Sequence, residues 1–173
     1  IVIDRSGSMG RGRLEEAKVY FSKVVELKPD YTEAHLNLAV VLRGLNKTVE
    51  ALKYYNNVKV LKPDTDFLLG SILYLKMKLN IWDDLQSELQ ELIKKVNNTE
   101  KVVAPWVLIT LIDDPELHRK AVKIYLNNKF PKSNLFPKIS KYHNHEKIKI
   151  GYFSTDFNNH PVGRLTAELY ELH

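Results

Sequence analysis

The residues with most to offer chemistry lie near one end, in Asp156-Phe157-Asn158-Asn159-His160-Pro161. Pro161 suits a first helical turn, which puts His160 just ahead of a helix N-terminus. The positive end of a helix dipole disfavours imidazolium. A neutral imidazole near neutral pH can accept a proton from a hydroxyl or polarise one. The same placement also suits a ring that only caps the helix through nearby backbone. Asp156 and Asn159 stand between touching a substrate and shaping the loop, and shaping is the simpler reading for both. Asp4, Ser6 and Ser8 alternate along a glycine-rich stretch and offer the oxygen ligands a hard cation prefers. His143 and His145 sit in a polar stretch with no third ligand apparent nearby. No metal is assigned to either group, and the absence of cysteine excludes disulfides and thiolate metal sites.

The elements around His160 read as strand, loop and helix. Lys147–Ser154 is a short run of β-formers, and the helix after Pro161 carries Leu165, Leu169 and Leu172 on one stripe. Such a unit is the first half of a βαβ crossover, and open α/β sheets bind ligands outside the carboxyl ends of their strands. The polar stretch from Asn127 to Lys147, with Pro131 and Pro137, reads as a linker. Before it, Pro115 opens a helix capped by Asp113 or Asp114, with Leu117, Ala121, Ile124 and Tyr125 on one face.

Further upstream the chain repeats itself. Leu27-Lys28-Pro29-Asp30 recurs as Leu61-Lys62-Pro63-Asp64, an offset of 34 residues shared by Glu16-Ala17 with Glu50-Ala51 and by Tyr20 with Tyr54. Prolines at a fixed interval exclude one continuous coiled coil. Within the complete unit, Asp30 or Thr32 caps a helix with Leu38, Ala39 and Leu42 on one face. Gly44-Leu45-Asn46 turns the chain, and a second helix places Ala51, Tyr55 and Val58 inward. Ala39 and Ala51 are small where the two helices cross. A third unit from Asp66 to about Asn98 keeps the length, as helices Phe67–Met77 and Trp82–Val96 broken near Asn80. It replaces the small residues with Leu73 and Leu85. Asn37 precedes the Leu38-Ala39 core pair on the side expected to face a groove, where an amide can both donate to and accept from an extended peptide.

Composition narrows the classes. Hydrophobic residues make up 44% and charged residues 27%, enough apolar content to bury a core. The net charge of +5 comes from scattered lysines, and only Arg5, Arg11 and Arg13 cluster, which argues against a nucleic-acid face. Val102–Ile112 is the longest apolar run, broken by Pro105 and shorter than the roughly 20 residues a bilayer span needs. No secretory pattern opens the chain, so a cytoplasmic protein is expected, and the Asn-x-Thr sequences at Asn46 and Asn97 carry no meaning. The missing initial Met and the stop at His173 within a helical pattern suggest a fragment.

The 34-residue unit, with its small residues, aromatics and closing Pro, resembles the tetratricopeptide repeat. Residues 1–13 fit no repeat, and Asp4-x-Ser6-x-Ser8 resembles the metal loop of von Willebrand factor A domains, whose remaining ligands and sheet are not evident. Four motifs occur in an order and spacing similar to the protein O-linked N-acetylglucosamine transferases. They are Asp66-Phe67-Leu68-Leu69-Gly70, Asp113-Asp114-Pro115-Glu116-Leu117, Lys129-Phe130-Pro131 and the run from Ile150 to His160. The resemblance implies a mainly α fold, a superhelix of repeats leading into the first strand–loop–helix of an α/β catalytic lobe of the GT-B, Rossmann-like type. It implies metal-free transfer of N-acetylglucosamine from UDP-GlcNAc to Ser or Thr of proteins, with no cofactor and with substrates presented in the repeat groove. His160 would lie in the active-site cleft; Asp156, Asn159 and Asn37 are the further candidate substrate contacts read from the residues themselves. Val162-Gly163-Arg164 departs from the small or polar residues expected after His-Pro.

The resulting division is 1–13 anomalous, 14–64 repeats, 65–100 a degenerate helical pair, 101–146 helical transition and linker, and 147–173 the start of the catalytic domain. The donor lobe would lie beyond His173, so this chain alone is expected to be inactive. A non-enzymatic repeat scaffold binding peptide segments is the alternative.

Overall fold

The computed structural model describes residues 10–131 and 150–172, which fall into two compact units, 1–133 and 134–173. The metal-loop residues Asp4, Ser6 and Ser8 and the His143/His145 pair lie outside the described residues.

The first unit holds seven helices: α1 (Arg11–Leu27), α2 (Thr32–Gly44), α3 (Thr48–Leu61), α4 (Leu68–Lys78), α5 (Leu85–Asn97), α6 (Pro105–Leu111) and α7 (Pro115–Lys129). Each repeat link ends its helix for a local reason. A residue before proline avoids the α region, so α1 stops ahead of Lys28-Pro29 and α3 ahead of Lys62-Pro63. α1 begins inside the segment expected to be anomalous. Its Gly12 falls in the first turn, where backbone donors have no intrahelical partner in any case. Tyr31, rather than Asp30 or Thr32, occupies the N-cap of α2 and makes no side-chain cap bond.

A first core gathers Phe21 of α1, Leu38, Ala39 and Leu42 of α2, Ala51, Tyr55 and Val58 of α3, and Ile72 of α4. Ala39 and Ala51 are both fully buried, consistent with the close α2–α3 crossing that the small residues require. A second core gathers Leu73, Leu92, Val96, Val103, Leu108, Leu117 and Ala121 from α4 to α7. Here the larger Leu73 and Leu85 stand at the small positions, and α5 packs on α7 as well as on α4. Each fully buried leucine contributes about 1.5–3 kcal/mol. Lys76 and Glu88 join α4 to α5 by a largely buried ion pair of 2.7 Å.

The period survives in the turns even where the core residues change. Asn46 has φ 60°, its N–H donates to Arg43 O (3.1 Å), and Lys47 N–H donates to Leu42 O (2.9 Å). One period later Asn80 has φ 55°, with Asn80 N–H on Met77 O (3.1 Å) and Ile81 N–H on Lys76 O (2.9 Å). Both are Schellman closures with a left-handed Asn just past the helix. Thr99 ends α5 the same way at φ 63°, bonded to Val96 O, with Glu100 N–H on Lys95 O.

A second device fixes two helix entries. His35 Nε2–H donates to Pro29 O (2.8 Å), and His118 Nε2–H donates to Ile112 O (2.7 Å). In each case the fourth helical residue reaches the carbonyl two places before the N-cap. Asp114, of the two candidates, caps α7, its Oδ1 accepting from Glu116 N–H (3.0 Å) and Leu117 N–H (3.1 Å).

The second unit contributes α8 (Pro161–Glu171) among its described residues. The part of the expected strand that is described, Ile150–Ser154, has no ladder partner among the described residues and is irregular. A strand exists only through such pairing. The described residues are therefore helical throughout their regular structure, and no sheet lobe is seen among them. No helix of the described residues is long and apolar enough to cross a membrane.

Candidate functional site

Two places carry the residues singled out from sequence, one in each unit. On α2 the buried positions Ala34, His35, Leu38, Ala39, Val41 and Leu42 occupy one side of the helix. At 100° per residue, Leu36, Asn37, Val40 and Arg43 fall on the opposite side, and all four are half-buried. The Asn37 amide makes no hydrogen bond to any described residue. Adding one period gives Ser71, Tyr74 and Met77 on α4 as the counterparts of Asn37, Val40 and Arg43, again half-buried. Ser71 Oγ–H bonds Phe67 O within its own helix (2.9 Å), so the two positions are equivalent in register but differ in what they leave available.

His35 was not singled out from sequence, because an apolar-face histidine reads as core. It is 5% exposed. Its Nε2–H holds the Pro29 carbonyl while Nδ1 accepts from Asn57 Nδ2–H at 3.4 Å, and its ring lies 5.7 Å from that of Tyr54. A carbonyl can only accept, so these partners fix the Nε2–H tautomer.

In the second unit His160, Asp156 and Asn159 come together in one loop before α8. His160 is the N-cap, and its Nδ1 accepts from Val162 N–H at 3.3 Å. The Asp156 carboxylate lies 4.0 Å from the same nitrogen, and both side chains are nearly half exposed. Asn159 Oδ1 accepts from both Nε–H (3.1 Å) and Nη2–H of Arg164. Asp156 N–H donates to Ser154 Oγ (3.0 Å), and Asn158 Nδ2–H donates to Thr155 O (2.9 Å). Each named polar group thus has a task within the loop. A Cβ on Gly163 would lie 2.8 Å from the carbonyls of both Asp156 and Asn158. Gly163 is thus what lets α8 sit against its own loop.

The cap selects the tautomer of His160. Nδ1 must offer a lone pair to Val162 N–H, so the proton resides on Nε2. In that tautomer Nε2 donates, and it accepts a proton from a hydroxyl only if the cap bond is given up. Beside the loop, Ile150, Tyr152, Phe157, Ala167 and Tyr170 line an open, mainly apolar recess of about 670 Å³. Tyr170 meets Tyr152 and Phe157 edge to face, with ring centres at 4.7 and 5.4 Å. His160 is not among the residues lining the recess.

The first unit is of the helical-repeat class, antiparallel pairs stacked at a fixed period. Residues 8–68 match the family described as tetratricopeptide repeat, so the chain contains such repeats. The match reaches back into the segment expected to be anomalous and covers the units defined by the two Leu-Lys-Pro-Asp links. No curated protein matches the chain.

Proposed function

We propose that the repeats hold an extended segment of a partner protein along the half-buried stripe of α2 and its counterpart on α4. The observation that carries this is Asn37, an amide partly withdrawn from water with no hydrogen-bond partner among the described residues. It can donate to and accept from one peptide unit at once. The test is fluorescence anisotropy with a panel of labelled, extended peptides, comparing the chain with Asn37→Ala. Binding weakened for every peptide by the substitution is expected. Binding that ignores Asn37 would move the site elsewhere.

The finer reading is that this presentation serves transfer of N-acetylglucosamine from UDP-GlcNAc to Ser or Thr of the bound protein. It is supported by the ordered motifs from Asp66 to His160 that resemble the O-linked N-acetylglucosamine transferases. In this reading His160 contributes Nε2–H as a donor that polarises a substrate group, because its Nδ1 is committed to the cap. Asp156 and Asn159 hold the loop in shape, the latter through Arg164. Full-length protein incubated with labelled UDP-GlcNAc and a Ser/Thr peptide is expected to incorporate sugar, and His160→Ala to reduce it strongly. A non-enzymatic scaffold is the rival, favoured by the fact that His160 Nδ1 and Asn159 Oδ1 are both occupied within the loop. Absence of sugar incorporation would decide for the scaffold.

A further inference from the structure

We infer that the outer face of α7, together with the exposed edge of α6, rests on an anionic membrane surface. This goes beyond the peptide-binding reading and does not depend on it. Trp106, Ile109 and Phe130 are each more than half exposed, and Val122 and Leu126 only somewhat less. Contiguous large apolar side chains left in water mark an interaction surface. These form one patch. The Trp106 ring meets that of Tyr125 edge to face at 5.0 Å, and Val122 and Leu126 neighbour Tyr125 on α7. The buried Leu117 and Ala121 occupy the other side of that helix, so the patch faces away from the second core.

Charge decides the occupant. From Leu117 onward α7 carries Arg119, Lys120, Lys123 and Lys129 and no acidic residue, and α6 has no charged residue. Asp113, Asp114 and Glu116 stand at the N-terminal end of α7, where Asp114 caps the helix and Glu116 pairs with Arg119. At 100° per residue, Val122, Leu126 and Phe130 fall within an arc of about 80°, with Lys123 and Lys129 at its two edges. Lys123 makes no ion pair with any described residue, and Lys129 Nζ lies 5.8 Å from the centre of the Phe67 ring. Lysines flanking an apolar stripe suit a dry protein interface poorly, since the cores of such interfaces are depleted of lysine. They suit a bilayer, where the stems lie along the acyl boundary and the ammonium groups rise to the phosphates. Trp106 favours the same boundary. α8 also exposes leucines, but Glu168 and Glu171 outnumber its Arg164, so anionic lipid disfavours that helix.

The experiment floats the whole chain with vesicles of phosphatidylcholine alone or of phosphatidylcholine and phosphatidylserine mixed two to one. Binding to the mixed vesicles, with little to the neutral ones, is expected and should weaken as salt rises. Lys123→Gln and Lys129→Gln should each lower the partition coefficient about fivefold. Leu126→Ser and Phe130→Ser should lower it by at least as much. Trp106, made the sole tryptophan by Trp82→Phe, should shift its emission to the blue on binding. Asn37→Ala should change nothing, which separates this surface from the peptide groove. Circular dichroism checks folding, and the two exposed lysines supply the test if a serine variant disturbs the core. No binding to the mixed vesicles, equal binding to both kinds, or binding that ignores all four α7 variants overturns the inference. So does loss of binding in Leu165→Ser, which would move the contact to α8. A dimer seen by sedimentation without lipid and dissolved by Phe130→Ser would overturn it too, by giving the face to a second copy.

Discussion

Gly70 and Val103 meet almost backbone to backbone: a Cβ built on Gly70 would lie 2.5 Å from Val103 Cγ2 and 2.9 Å from Val103 Cα. The Gly70 N–H donates to Val102 O at 2.9 Å, and the Phe67 N–H donates to Lys101 O. These bonds satisfy donors at the start of α4 that no earlier helical turn can reach. The glycine is therefore required by contact, inside a helix where alanine would otherwise be favoured by about 1 kcal/mol.

Gly70→Ala is expected to destabilise the first unit by about 1–3 kcal/mol, reversing the sign that helix propensity alone gives. Urea denaturation followed by circular dichroism measures it. Val103→Ala in the same chain should recover only part of the loss, because the clash with the Val103 backbone remains. A stabilised Gly70→Ala protein would mean that α4 and the Lys101–Val103 segment do not touch as described.

Asn46 and Asn80 hold left-handed conformations that β-branched residues resist. Asn80→Gly should be neutral or slightly stabilising, whereas Asn80→Val should cost about 1–2 kcal/mol, and Asn46 should behave in parallel. Thermal melts of the four variants give the comparison. Equal tolerance of glycine and valine at either site would contradict a Schellman closure there.

Replacing His35 with leucine strands the Pro29 carbonyl and the Asn57 amide near the first core. A loss of about 1–3 kcal/mol is expected. His118→Leu removes a single bond, to the carbonyl of Ile112, and should cost less. The two residues border different cores, so the double variant should show the sum of the single losses. Strong non-additivity would show that the two cores unfold as one coupled network.

His160→Asn tests what the imidazole does. Asparagine is a good N-cap, so the helix start of α8 should persist by NMR chemical shifts, as it should not in His160→Leu. If the full-length protein transfers sugar, turnover should nevertheless fall in His160→Asn to about the level of His160→Ala. Full turnover in His160→Asn would reduce the histidine to a cap.

Much of the first unit was legible because its signals are local and periodic. The Leu-Lys-Pro-Asp links, the small Ala39 and Ala51 and the Asp114-Pro115 helix start each act within a few residues, and each stands where the spacing puts it. The pairing of Gly70 with Val103 was not legible, since it joins residues 33 positions apart in the sequence. Nor were the hydrogen bonds of His35, because its partners come from a link and from another helix. In the second unit, residue types suggested a catalytic loop, yet hydrogen bonding among Ser154, Asp156, Asn159 and Arg164 could not be read from spacing. The Lys147–Ser154 strand was read from β-formers, which favour extension but cannot supply a ladder.

The bonds from Phe67 to Lys101 and from Gly70 to Val102 also bring the two ends of the α4–α5 hairpin together. Tension along the chain would enter and leave this hairpin at neighbouring points. It would load those backbone bonds first and leave α4 and α5 unstretched until they part, so this junction serves as a mechanical clasp as well as a packing contact.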